Sequence, residues 1–196
     1  RKKITRMNLT RSFPEKTPSE IKRIERRFYL HLADLFIETL KAANMSEREL
    51  KRRFHVVNPE LPISIMEEGR DIIAVGGHFN NWEWLIAMPL YIKEKMLTIY
   101  KPLKNKRFDR LIFKMRSRFG IVLTPMSHIV REIISYRNQN IRTMSAFIAD
   151  QTPPKPDIKY WTNFLNQDTP VFLGSEKVSV KFKMALLYLN VIKVKR

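Results

Sequence analysis

The segment Gly76-Gly77-His78-Phe79-Asn80-Asn81-Trp82-Glu83 sets an imidazole and a carboxylate five positions apart, directly after two glycines. On one regular helix such residues point to different faces instead of stacking as i and i+4 neighbours. The two groups meet only if His78 lies in a turn and Glu83 in the first turn of a following helix. Asn80 or Asn81 suits the N-cap of that helix, which puts Glu83 near the positive end of its dipole, where a carboxylate stays ionised. An ionised Glu83 would accept a hydrogen bond from one imidazole nitrogen and leave the other free as a general base, the logic of the His and Asp portion of a hydrolase triad. No protein nucleophile accompanies the pair, so the substrate would supply one, as a hydroxyl whose proton His78 removes. A solitary H-x4-E is more often a turn histidine and an ordinary helix acid. The preceding apolar run, the two glycines, the asparagines and the neighbouring tryptophans favour a site.

The elements that must position this pair follow from hydrophobic periodicity. Asp71-Ile72-Ile73-Ala74-Val75 is a continuous apolar run ending at Gly76-Gly77, as a buried parallel strand does before a tight turn. Further strands are expected near Met96 to Tyr100, Ile121 to Leu123 and Ser145 to Ala149. Helices are expected over Asn105 to Phe119 and Ser127 to Asn138. The Pro-rich run from Thr152 to Pro156 reads as a loop, Gly174 to Ala185 as a helix, and Leu186 to Val194 as a last strand. Strands alternating with helices imply an α/β fold with a mixed, mostly parallel sheet flanked by helices. Functional groups in such sheets gather beyond the carboxyl ends of the strands, where His78 stands.

Upstream, Thr17-Pro18-Ser19-Glu20 is a helix start, and Ile21, Ile24, Phe28, Leu32, Leu35, Phe36 and Leu40 recur at helical spacing. An amphipathic helix is expected over residues 19–42, with Lys22, Arg23, Glu25, Arg26 and Arg27 on a solvated or membrane-facing side. A short helix from Ser46 to Arg53, a strand around Phe54 to Asn58 and a helix from Pro62 to Glu68 complete a single domain over residues 1–196.

Composition narrows the partners. The chain has 37 Lys and Arg against 19 Asp and Glu, a formal net charge of +18, so an acidic partner is expected. Nucleic acid, an anionic leaflet, a phosphorylated substrate and an acidic carrier protein all meet that condition. There is no cysteine, which excludes disulfides, thiolate metal sites and a cysteine nucleophile. His31, His55, His78 and His128 are too scattered for a zinc site, and no metal or cofactor is expected. Neither G-x-G-x-x-G nor a P-loop follows the first strand.

Gly77-His78-Phe79-Asn80-Asn81-Trp82-Glu83 resembles the first motif of the bacterial lipid A biosynthesis acyltransferases, the late lauroyl and myristoyl enzymes within the lysophospholipid acyltransferase superfamily. Tyr100-Lys101-Pro102-Leu103 with Asn105, Asp109, Arg116 and Gly120 is similar to the second block, Ala149-Asp150-Gln151 to the third and Val171-Phe172-Leu173-Gly174 to the fourth. The resemblance implies a glycerolipid acyltransferase-like fold and transfer of a fatty acyl chain from an acyl carrier protein or coenzyme A thioester to a hydroxyl of a membrane lipid, by default a lipid A precursor. It implies His78 as base and Glu83 as the residue that orients it. Arg116, Lys101 and Arg110 would bind phosphate, since cationic side chains, guanidinium above all, match its oxygens. Asn81, Asp150, Gln151 and Gly174 would support the site, with Asp150 orienting Arg116 or capping its strand and Gly174 allowing close backbone approach. The expected location is the cytoplasmic face of the bacterial inner membrane. Relatives commonly carry an apolar anchor ahead of the long helix and residues after the last strand, so a truncated chain is expected. The rivals are a nucleic-acid-binding basic domain, which lacks any recognisable motif here, and a non-catalytic lipid-binding scaffold of the same fold.

Overall fold

Apolar runs too short for helices become the centre of a parallel sheet. In the computed structural model of the protein, which describes residues 2–194, five strands hydrogen-bond in the order β3-β2-β4-β1-β7. They are β1 (Ile72–Gly76), β2 (Lys95–Ile99), β3 (Val122–Thr124), β4 (Thr143–Ile148) and β7 (Ala185–Tyr188), and every pairing among them is parallel. Because side chains alternate across a strand, Ile72 and Ala74 face one side and Ile73 the other. The first side packs with Met96 and Met144 against Ala42, Met66, Ile86, Met88 and Met115. The second packs with Leu97 and Phe147 against Ile129, Ile133 and Met184. Helices thus cover both faces, as a parallel sheet requires.

The helices on the first side are α2 (Pro18–Asn44), α3 (Glu47–Arg53), α4 (Glu60–Glu67), a 3₁₀ helix over Trp82–Leu90, and α5 (Lys106–Ser117). On the second lie α6 (Ile129–Asn138) and α7 (Gly174–Phe182). A full capping box starts α2: the Thr17 hydroxyl accepts from the Glu20 backbone N–H, and the Glu20 carboxylate accepts from the Thr17 N–H at 2.9 Å.

One local expectation is corrected, and two elements appear that were not expected. Phe54 to Asn58 is not a strand; Phe54 ends α3, and the Tyr91 hydroxyl donates to its carbonyl, so the segment is a connector tied to the 3₁₀ helix. A helix α1 (Lys2–Ser12) precedes α2, packed on it through Arg6 Nε to the buried Glu25 carboxylate at 2.8 Å. Between β4 and α7 stands an antiparallel hairpin, β5 (Trp161–Phe164) and β6 (Gln167–Pro170), turned by Leu165 and Asn166 with φ of 50° and 57°. Both turn residues being left-handed is the type I′ signature. The Asn166 and Gln167 amides donate to Ser12, which joins the hairpin to α1.

At the amino edge of the sheet Asp71 is fully buried. Its carboxylate accepts from Arg137 Nε at 2.8 Å, from the Thr143 N–H at 2.8 Å and from the Thr143 hydroxyl at 3.1 Å. It therefore locks β1 to β4 at the end opposite His78. Register carries that lock up the pair to Gly76 beside Ile148.

Candidate active site

Since β1 and β4 are neighbours in register, the residues just past their carboxyl ends meet. The Ala149 N–H donates to the Gly76 carbonyl at 3.0 Å, one step beyond the ladder. Next in line, His78 and Asp150 face each other. The Asp150 carboxylate accepts from the His78 backbone N–H at 2.8 Å through one oxygen and contacts imidazole Nδ1 at 2.7 Å through the other. Gly77 makes this approach possible, because a Cβ there would lie 3.1 Å from Asp150 Oδ2.

A carboxylate only accepts hydrogen bonds, so this contact puts the imidazole proton on Nδ1 and leaves Nε2 with its lone pair. The Gln151 side-chain nitrogen lies 3.4 Å from Nε2. Trp82 meets the imidazole edge-on, ring centres 4.7 Å apart, and limits its rotation. The histidine side chain is one-third exposed and that of Asp150 somewhat more, so the pair lies at the surface and not in the core.

The hydrogen bond expected between His78 and Glu83 is replaced by two others. Glu83 does lie in the first turn of the helix after the His78 turn, but its carboxylate is paired in bidentate fashion with Arg116, whose Nε donates at 2.9 Å and whose terminal nitrogen takes the second oxygen. This pair is mostly buried, and the guanidinium also lies 5.8 Å from the centre of the Tyr100 ring. Burial opposes the charge on Arg116, yet the Glu83 hydrogen bonds outweigh it and hold the guanidinium protonated above its ordinary range. Arg116, expected as a phosphate ligand, thus has a carboxylate partner. Asp150, expected to orient Arg116 or cap its strand, faces His78.

Tyr100 extends the network. Its hydroxyl donates to Asp109 Oδ1 at 2.5 Å, and the other contact of that oxygen is the Leu103 N–H at 2.7 Å, which folds the Lys101-Pro102-Leu103 turn back on α5. Burial first, and the Asp109 hydrogen bond second, push the Tyr100 phenol up to about 12. Lys101 and Arg110 are exposed on this turn and on α5. Gly174 opens α7 with no protein atom within 4 Å of the position a Cβ would take.

Asn81 occupies the N-cap position of the 3₁₀ helix without capping it. Its amide donates to Glu38 of α2 at 2.9 Å. Asn80, at φ 49°, donates to the Val191 carbonyl at 2.6 Å. Sequence reasoning missed Glu38 and Lys193, whose ammonium reaches Glu38 at 2.8 Å. The legible signal was an acid three residues after Leu35, on the inward stripe of the helix. Among the described residues no three His, Asp or Glu side chains converge as metal ligands.

The family model of the bacterial lipid A biosynthesis acyltransferases matches residues 1–193. A comparison with curated proteins returns no match. With a match over nearly the whole length and a histidine at the carboxyl edge of a parallel sheet, this chain belongs to the bacterial lipid A biosynthesis acyltransferase family.

Proposed function

We propose that the protein is an O-acyltransferase that moves a fatty acyl chain from an acyl carrier protein thioester, with coenzyme A as the other donor class, to a hydroxyl of a lipid A precursor. The observation that carries this reading is the His78–Asp150 contact at 2.7 Å, which leaves Nε2 basic. In the reaction Nε2 removes the acceptor hydroxyl proton as the oxygen attacks the thioester carbonyl carbon. The tetrahedral intermediate collapses, the C–S bond breaks, and the imidazolium returns the proton to the leaving thiolate. Asp150 fixes the tautomer and stabilises the imidazolium.

Glu83, to which sequence reasoning gives the orienting role, acts in this reading through Arg116. A bidentate, partly buried ion pair braced on Tyr100 is a rigid wall beside the base. Lys101 and Arg110 remain the cations for acceptor or pantetheine phosphate, both being exposed. Gln151 supports the site from beside Nε2.

The protein works, in the same reading, at the cytoplasmic leaflet of the inner membrane. Phe36, Ile37 and Leu40 on α2 are 66, 60 and 62% exposed, and the net charge of +18 suits an anionic surface. No helix among the described residues is long and apolar enough to cross a membrane. Lipid mass spectrometry of cells lacking the protein tests the proposal: one acyl chain should vanish from one lipid A species. An unchanged lipid profile would refute it.

A further inference from the structure

We propose that Glu38, on α2 and far outside the H-x4-E motif, is a positioning residue for the His78 turn, the hub of a clasp that joins α2, the motif asparagines and the segment after β7. The inference rests on the acyl-transfer reading of His78.

One Glu38 oxygen accepts from the Asn81 amide at 2.9 Å and the other from the Lys193 ammonium at 2.8 Å. Lys193 also lies 3.8 Å from Asp34, one turn earlier on α2. Its own segment runs on from β7: the Leu189 N–H donates to the Val75 carbonyl at 2.8 Å, and Leu189 packs beside Gly76. Two residues later the Val191 carbonyl accepts from Asn80. The loop is closed, from Glu38 to Asn81, to Asn80, to Val191, to Lys193 and back to Glu38.

Neither asparagine is spent on the helix it precedes. An N-cap side chain normally accepts from the first turn, worth about 1 kcal/mol; the Asn81 side chain makes no such bond. Asn80 adopts a left-handed backbone that costs L residues energy, and its bond to Val191 offsets that cost. Local stability is given up at both positions for tethers to distant elements. Phe79, between them and His78, is exposed, so the turn is held by the His78 N–H bond to Asp150 on one side and by these tethers on the other. Burial opposes the Glu38 charge, yet the Lys193 and Asn81 hydrogen bonds outweigh it and hold the carboxyl below its ordinary range.

Glu38 has no direct contact with the base and acts through Asn81, which leads into the Trp82 ring set against the His78 imidazole. Displacement of a reacting group by as little as about 1 Å costs up to about 100-fold in rate. The clasp is thus a device for geometry and leaves substrate affinity alone.

The test compares wild type, Glu38→Ala, Glu38→Gln and Lys193→Met in acyl transfer from a carrier-protein thioester, alongside nitrogen NMR of the His78 imidazole. Glu38→Ala should lower kcat about tenfold with KM within about twofold, and broaden the His78 resonances. Glu38→Gln keeps an oxygen for Asn81 and should restore most of both. Lys193→Met, near the surface, should give a smaller kcat loss of the same kind and serves if Glu38→Ala does not fold. Wild-type kcat and His78 resonances in Glu38→Ala or in Lys193→Met overturn the proposal, as does a Glu38→Gln loss equal to that of Glu38→Ala. If wild type transfers no acyl chain, the acyl-transfer reading falls. The His78 resonances then still decide the clasp: changed in Glu38→Ala and restored in Glu38→Gln they support it, and unchanged they sink it.

Discussion

At the scale of single residues, the site depends on which carboxylate holds which cation. Asp150 takes the imidazole and Glu83 the guanidinium, so the two acids differ in what their loss does. Asp150→Asn is expected to cut kcat by about 10²- to 10⁴-fold by favouring the wrong imidazole tautomer. Gly77→Ala tests the same contact without touching either partner. Its Cβ would sit 3.1 Å from Asp150 Oδ2, so kcat should fall about tenfold with little loss of Tm; unchanged steady-state kinetics would show that Asp150 tolerates displacement. Tyr100 offers a test by titration, because its phenol is pushed up to about 12 by burial and by Asp109. Phenolate absorbance should show Tyr100 ionising well after the exposed tyrosines, with Tyr91, raised by burial, also late; the component lost in Tyr100→Phe identifies Tyr100. The proton is held more tightly in the folded state, so this residue's contribution to stability is complete below about pH 10, the ordinary phenol value, and is lost as pH rises through its folded value. A Tyr100→Phe variant should lose that alkaline dependence.

At the scale of elements, the sheet sets what the residues can do. Asp71 anchors β1 to β4 at the amino edge, and the shared register delivers His78 opposite Asp150 at the carboxyl edge. Asp71→Ala strands the Thr143 N–H and the Arg137 guanidinium, and is expected to cost about 3 kcal/mol in denaturant unfolding. A loss near zero would mean that the buried carboxylate adds nothing to the β1 and β4 pairing. Much of this scaffold was legible in sequence. The Ile72 to Val75 run, the Thr17 to Glu20 cap and the Asn105 helix start each carry a local signal, and they became β1, α2 and α5. What stayed hidden depends on strand order, which no local signal encodes. The sequence places Asp150 at the end of a strand but not beside β1, so Glu83, the nearer acid in the chain, looks like the partner of His78. The hairpin escaped for another reason: β5 is exposed throughout and lacks the buried alternation that marks a strand. Asn80 reads as a helix cap from its type, whereas its left-handed backbone and its bond to Val191 come from tertiary contacts alone.

At the scale of the whole molecule, part of the apolar stripe of α2 stays uncovered: Phe36 and Leu40 are largely exposed and Phe28 nearly half exposed. An open groove of about 440 Å³ lies along the helix, lined by Ile37, Leu40, Lys41, Asn44 and Met45, and is not lined by His78 or Asp150. Together with the basic surplus, this face suits the proposed docking on an anionic leaflet. Vesicles rich in anionic lipid should bind the protein in a salt-sensitive way, and Ile37→Asp with Leu40→Asp should release it while leaving Tm nearly unchanged. Retention of this double variant would move the membrane contact elsewhere. In the proposed function these elements serve one chemical event, proton removal from a lipid hydroxyl by His78, and single-turnover acyl transfer from a carrier-protein thioester to a lipid A precursor measures it most directly. The account predicts measurable transfer by wild type and a loss of at least about 10³-fold in a folded His78→Ala variant. Transfer by His78→Ala at the wild-type rate would contradict it.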